Sequence, residues 1–442
     1  MTSTTPAPVR LPSLLDTDVY KLTMQQAVQK HFPDAKVTYR FTNRSKEMQF
    51  TQRAVELIEQ GIHHLGDLRM TPDELEWLRT TCPYFQPAYL DFLQSFQLQP
   101  TDEVQVQFVP GTQECNGERM GDLEVTIKGL WSHVILYEVP VMAIISETYF
   151  RTVDTDWTSE GQREQAARKA HTLLTNGIML SEFGTRRRRS LATHEVVIQG
   201  LLDAEAQLAN TPHKGRILGT SNVLLAKKFG LAPVGTVAHE WTMGIAAIGG
   251  YEHSNLRALQ LWDDVYAPPA FTPQQPSEDL TIALTDTFST RVFWDDLLSS
   301  DKGIEILRRW RGVRQDSGDS RVFVRHALDV YERIGVDPRK KLVIFSDGLN
   351  VDKCLELQQY ARDVGIQAGF GVGTHLTNDF RKASNPDEKS RALNIVLKIS
   401  SINGHPTVKI SDELTKNTGD ADEIAFVKRR FGLEGQESVE DA

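Results

Sequence analysis

The chain has 442 residues, of which 40% are hydrophobic and 8% aromatic, enough apolar side chain for one large core or two medium ones. Its formal net charge of −10 excludes a broadly basic nucleic-acid surface, so any anion site must be local. Cys82, Cys115 and Cys354 lie far apart with no CxxC pair, which points to neither a disulfide framework nor a thiolate zinc site and fits a reducing compartment. No apolar run is long enough to span a bilayer.

Residues Met1 to Pro12, rich in Thr, Pro and Ser, read as a disordered arm and not as a signal peptide. From Leu14 to Val28, LLDTDVYKLTMQQAV predicts an amphipathic helix that starts near Asp16 or Thr17 with Asp as its N-cap. KVTYRFTNRS then alternates as a strand does. Residues 51–98 read as several helices with a break at Cys82-Pro83, and EVQVQF and LEVTIKG return to strand patterns. This first part is α+β, without a recurring βα unit.

From about residue 180 a βα rhythm sets in. The candidate strand ends are SEFGT, RILGTS, APVGTVAHE, IALTDT, GVRQDSGD, KLVIFSDG and AGFGVGT, each an apolar run followed at once by a polar cluster. Parallel barrels collect substrate-binding side chains at that rim. Near the end, LNIVLKISSINGHPTVKISDE predicts a hairpin turning at Asn403-Gly404 that belongs to no βα unit and returns to the first domain. The acidic tail after Gly435 is expected to be mobile.

Several rim clusters carry chemistry. SEFGTRRRRS sets Arg186 to Arg189 behind Phe183; a basic run is by itself usually a solvated face, yet an aromatic face with a forked guanidinium suits a flat, anionic ring. His239 in GTVAHEW lacks the second histidine of a zincin helix and is a candidate acid, base or nucleophile, against the commoner structural histidine. In VRQDSGD, Arg314 can bind an anion while Asp316 and Asp319 hold Mg²⁺ or sugar hydroxyls; the alternative is an Asx turn with a surface ion pair. Asp286 and Asp347 end apolar runs, where a lone Asp often only caps a helix. Gly369, Gly371 and Gly373 before Thr374 can close backbone amides around a phosphate, but they match neither a Rossmann fingerprint nor a P-loop.

Taken together and in this order, LLDTDVYKLTM, SEFGTRRR, LGTSN, GTVAHEW, ALTDTF, GVRQDSGD, FSDGLN and GFGVGTHLTND closely resemble the nicotinate phosphoribosyltransferases, from about Leu14 to about Gly419. The resemblance implies the type II phosphoribosyltransferase fold: an α/β class, with an irregular α/β barrel at 146–392 and a separate α+β domain at 1–145 joined by the segment 393–442. It implies an enzyme that makes nicotinate mononucleotide and pyrophosphate from nicotinate and phosphoribosyl pyrophosphate, with Mg²⁺ and with ATP as co-substrate, in NAD salvage. His239 matches the histidine that the family phosphorylates, with Asp316 and Arg314 as its catalytic companions.

By the same matching, Tyr20 reaches the neighbouring subunit's site of a homodimer and stacks on the pyridine opposite Phe183. The loop Phe183, Gly184, Thr185 and Arg186, with Arg314, serves nicotinate and the phosphoribosyl donor. Asp286 and Asp347 address ribose hydroxyls or metal-bound diphosphate, and Gly371, Gly373 and Thr374 hold the 5′-phosphate. No fixed protein metal site, nucleic-acid partner or membrane partner is implied. A cytoplasmic location is expected, with nuclear entry left open.

Two positions refine the resemblance. Nicotinamide-using relatives resemble one another in an Asp after the Gly-Thr pair, where this chain has Ser221, a hydroxyl able to donate to a carboxylate. The family often reads DSGDP, and this chain has Ser320 in the proline's place. A non-catalytic nucleotide sensor would lack His239, Asp316 or Arg314, and all three are present. An aldolase barrel would need a Schiff-base lysine at a strand end, and none stands there.

Overall fold

Alternation in Lys36–Asn43 (β1) sends Val37, Tyr39 and Phe41 inward, and this strand is the middle of a six-stranded antiparallel sheet. The computed structural model describes residues 6–115, 117–266 and 280–436. β1 pairs on one side with β4 (Glu118–Leu130), which also carries β2 (Phe50–Thr51) and β3 (Val104–Cys115). Helices Gln52–His63, Pro72–Thr81 and Pro87–Ser95 fill the interval expected to be helical, two of them starting on a proline whose missing N–H costs nothing at a first turn.

The second sheet is parallel and is built from β5 (Met179–Glu182), β6 (Arg216–Thr220), β7 (Ile282–Leu284), β8 (Gly312–Gln315), β9 (Leu342–Phe345) and β10 (Gln367–Val372). Its order is β6-β5-β10-β9-β8-β7, so the last strand in sequence pairs with the first, as a barrel's strands must. The ring of hydrogen bonds is left open between β6 and β7. A strand was expected there at APVGTVAHE, but the segment makes only the isolated bridge Thr220–Pro233. Pro233 has no N–H to give a ladder, and Gly235 lies so close to Val19 that a Cβ would sit 2.8 Å from its Cγ1. His239 therefore starts a helix, His239–Gly249, and does not end a strand.

Beyond the short pair β11 (Phe380–Arg381) and β12 (Lys389–Ser390), the chain returns to the first sheet. There β13 (Ile395–Ile402) pairs with β1 and with β14 (His405–Pro406). The turn is where the sequence put it: Asn403 and Gly404 both have positive φ, at 49° and 84°. The helix Glu138–Thr152 runs across residue 145.

Three further expectations change. Val9 and Leu11 are 3% and 6% exposed, so the arm is anchored from residue 9; Met1 to Thr5 and the acidic tail from residue 437 lie outside the described residues. The first helix is Val19–His31, and from Val19 to Val28 only Tyr20 is not buried, so it is a central helix and not an amphipathic one. Neither Asp16 nor Asp18 caps it with its side chain, since both carboxylates are drawn into contacts with the barrel. Among the described residues no helix is long and apolar enough to cross a membrane.

Candidate active site

Where the C-terminal ends of the parallel strands meet the helix Val19–His31 and strand β13, the chain encloses a cavity of about 770 Å³. Of the residues singled out from the sequence, Tyr20, Phe183, Gly184, Arg186, Ser221 and His239 line it. So do Arg314, Asp316, Asp347, Gly371, Gly373 and Thr374. Two do not. Thr185 and Asp286 are both 0% exposed and stand behind the wall.

The arginine run divides sharply by depth. Arg188 makes a two-pronged pair with Asp16, at 2.7 and 2.6 Å, and both side chains are fully buried. The Arg189 guanidinium lies over Phe150 and Phe380, with ring centroids 3.7 and 4.4 Å away. These two fasten the loop, and Arg186 and Arg187 are the pair that face the cavity. A solvated basic face would need all four outside.

Phe183 is fixed by a backbone bond from its N–H to Val372 O and by the absence of a side chain at Gly371, whose Cβ would lie 2.3 Å from Phe183 Cε2. Tyr20 shares the same cavity. Val19 N–H donates to Ser221 O at 2.8 Å, which places Tyr20 in the cavity of its own chain. The Tyr20 hydroxyl is buried without a hydrogen-bond partner, as is fitting for a group waiting on a ligand.

Ser221 also has a different duty from the one expected. Its hydroxyl donates to Asp18 Oδ1 at 2.7 Å, and both residues are buried. Burial raises the Asp18 pKa, opposed by the nearby Arg186 charge. The Ser221 proton is thus committed to a carboxylate of the protein, and Arg186 is left as the nearby donor for a carboxylate on a ligand.

His239 sits in a polar box, with Nδ1 3.1 Å from Thr287 Oγ1 and Nε2 3.1 Å from Asp316 Oδ2. Burial and then the Lys409 charge push its pKa down to about 4, against the pull of Asp286 and Asp316, so the ring is neutral at neutral pH. Burial works to raise Asp316, but the His239 hydrogen bond and the Arg314 and Lys409 charges outweigh it and hold that carboxyl well below its usual range. Asp286 accepts from Ser317 at 2.6 Å and pairs with Lys409 at 2.9 Å. It thus supports the box from behind the cavity wall. Asp319, considered for metal or sugar, caps the helix Ser320–Arg333 instead.

His239, Asp286 and Asp316 bring donor atoms within 4.8 Å of one another, yet nearly all those atoms already have protein partners, which makes a poor closed cage. Asp347 differs. Its carboxylate has no ion-pair partner among the described residues, and burial together with Asp316, Glu413 and Asp286 raises its pKa. A cation would relieve that repulsion, and Mg²⁺ is ordinarily held by one or two carboxylates plus substrate phosphates. The residues therefore fit an ion that arrives with a phosphate ligand.

Besides Arg187, which belongs to the arginine run already singled out, Arg44, Lys398 and Lys409 line the cavity, and sequence reasoning missed these three. Burial, then Lys409 and Arg44, pushes the Lys398 pKa down to about 7. One signal was available for Lys398, a lone lysine in an otherwise apolar strand, LNIVLKISSI; Lys409 carried none.

Comparison with known proteins covers nearly all of the chain. The model of the nicotinate phosphoribosyltransferase (NAPRTase) family matches residues 178–435, and that of the NAPRTase N-terminal domain matches residues 15–146. The nicotinate phosphoribosyltransferase of Saccharomyces cerevisiae is 42% identical over 427 residues, covering 96% of this chain and 95% of that one. A crystal structure of that description, also from S. cerevisiae, superposes with a TM-score of 0.89 at 40% identity, covering 97% of this chain and all of the other. Another, from Porphyromonas gingivalis, gives 0.82 at 34% identity, with 96% and 100% covered.

Proposed function

The chain belongs to the nicotinate phosphoribosyltransferase family of enzymes, and from that premise we propose that it joins nicotinate to phosphoribosyl pyrophosphate and couples the reaction to ATP through His239. The observation that carries the proposal is the cavity itself. A neutral histidine with a carboxylate partner stands in one wall, an aromatic pair in another, and Arg186, Arg187, Arg314, Lys398 and Lys409 supply positive charge between them.

Departure of pyrophosphate leaves positive charge on the sugar carbon and puts negative charge on the leaving oxygens. The site must therefore neutralise the diphosphate and hold the pyridine nitrogen in line. Arg314, Lys398 and Lys409 face the anion, while the backbone at Gly371, Gly373 and Thr374 offers the narrow turn for the 5′-phosphate. Phe183 and Tyr20 confine the ring, and Arg186 meets its carboxylate. Mg²⁺ would add Lewis-acid neutralisation of the diphosphate beside Asp347. A carboxylate on the ring suits Arg186 better than an amide does, which makes nicotinate the preferred substrate.

In the coupling step a ring nitrogen of His239 attacks the γ-phosphorus of ATP. The P–N bond forms, the bond to the bridging oxygen breaks, and ADP leaves; water later cleaves the phosphoramidate. Asp316 orients the ring and offsets its developing charge. The phosphoryl group adds about 1.5 to 2 negative charges at the wall, enough to rearrange neighbouring cations.

Purified enzyme should convert nicotinate far faster than nicotinamide when both are offered with phosphoribosyl pyrophosphate and Mg²⁺. With γ-labelled ATP it should take up an acid-labile, base-stable label. The His239→Ala variant should lose the label and the ATP hydrolysis yet keep some ATP-independent synthesis. Equal turnover of the two pyridines, or a label that survives His239→Ala, would refute the corresponding half of the reading.

A further inference from the structure

Outside the cavity three charges are buried together, and the chemistry above uses none of them. Lys21 has no exposed side-chain surface and follows Tyr20 in the helix Val19–His31. Its ammonium bridges two carboxylates: Glu138, the first residue of Glu138–Thr152, and Glu240, the second residue of His239–Gly249. Glu138 Oε1 also accepts from Arg186 Nη1 at 3.3 Å. Glu240 Oε1 accepts from Trp131 Nε1 at 2.7 Å and from the Tyr39 hydroxyl.

One carboxylate, that of Glu138, stands against Arg186 in space, and the other belongs to Glu240, which follows His239 in the chain at the start of its helix. The His239 helix has little freedom to slide past this bridge. Trp131 packs on it so closely that a Cβ at Gly244 would lie 2.5 Å from the indole Cη2. Burying ions is costly, and an apolar filling of the same volume would serve stability as well. What the charges add is long-range attraction, which responds when charge changes nearby.

We propose that the Glu240–Lys21–Glu138 bridge links the start of the His239 helix to Arg186, with Lys21 as a positioning residue that lets phosphorylation of His239 set the nicotinate site. The inference rests on the roles given to His239 and Arg186 above. New negative charge beside Glu240 draws Lys21 toward that side. Glu138 then leans more on Arg186, the long 3.3 Å contact shortens, and the guanidinium is fixed with its other edge toward the ligand. Pre-organising a donor in this way raises affinity without a new contact.

Lys21→Met alone would leave the two glutamates short of a cation and threaten the fold. The double variant Lys21→Met/Glu240→Gln removes one charge of each sign and leaves Glu138 paired with Arg186. Tyr39→Phe is a milder second variant that keeps every charge and releases one bond to Glu240. The quantity to measure is the nicotinate Kd before and after treatment with ATP and Mg²⁺, with the acid-labile label counted in the same samples.

Wild-type protein should bind nicotinate about tenfold more tightly once labelled, a coupling of ordinary size. The double variant should carry the same label with less than a twofold change, and Tyr39→Phe should fall between. A merely structural bridge would lower the melting temperature and leave the ratio untouched. Labelled double variant with the full wild-type ratio overturns the proposal while leaving the phosphohistidine standing. Wild-type protein that takes no label removes both, and label without any change in nicotinate Kd removes the coupling alone.

Discussion

Lys398 shows how far a single side chain can be moved by its surroundings. With its pKa pushed down to about 7, it is largely neutral in the folded protein at pH values where the unfolded chain would hold the proton, up to its ordinary value of 10.5. The folded state thus binds fewer protons between those limits. The stability this lends is present above the upper one and is lost as pH falls toward the lower. For an anionic substrate the sense is opposite, because only the protonated amine attracts phosphate. The KM for phosphoribosyl pyrophosphate should climb as pH rises through about 7, and Lys398→Met should flatten that limb in initial-rate measurements over roughly pH 6 to 9. Ser221 makes the second case. Ser221→Ala takes a donor from buried Asp18 and should cost about 1–3 kcal/mol in denaturant titration. Ser221→Asp sets a second carboxylate against it and should cost more, about 3 kcal/mol or above, with nicotinate turnover falling alongside. If Ser221→Asp melted like the wild type, the pairing with Asp18 would be of no consequence.

Loop and strand together decide where Phe183 lies, and Gly371 is the element that permits it. Gly371→Ala would drive a methyl group into the ring, so Phe183 must move off its seat and the KM for nicotinate should rise by about tenfold or more, with the melting point little changed. An unchanged KM would show that the ring's position is immaterial. The loop after β8 carries the other departure. Ser320 is the first residue of the helix Ser320–Arg333, and the preceding Asp319 has φ −75° and ψ 118°, a conformation that a following proline accepts. Ser320→Pro would lose a 3.2 Å bond to Gln315 but restrict the unfolded chain. The expected net is a stabilisation below about 1 kcal/mol, read from the thermal midpoint; a clear destabilisation would mean that the Gln315 contact shapes the loop.

At the scale of the whole molecule the cavity is closed by parts distant in sequence, with helix Val19–His31, barrel rim and strand β13 all from one chain. Mixing Tyr20→Ala with Arg314→Ala protein should therefore restore no activity even where mixed oligomers form, since each chain keeps its own damaged site; recovery would place Tyr20 in a neighbour's site. The sequence by itself determined the family, six of the seven parallel strands expected and the turn at Asn403-Gly404, because strands, turns and loop motifs are written in runs of a few adjacent residues. It also named twelve residues that do line the cavity. It could not tell Arg186 from Arg188, since four identical neighbours differ only in which partner each meets across the fold, Asp16 in one case and the cavity in another. Nor could it find Lys409 or the bridge through Lys21, or foresee that Ser221 would serve Asp18. Those are pairings between residues more than one hundred positions apart, and local pattern holds no record of them. Tertiary packing brought the charges together and excluded the water that would have screened them, and so it decided which were to support the site and which to work in it.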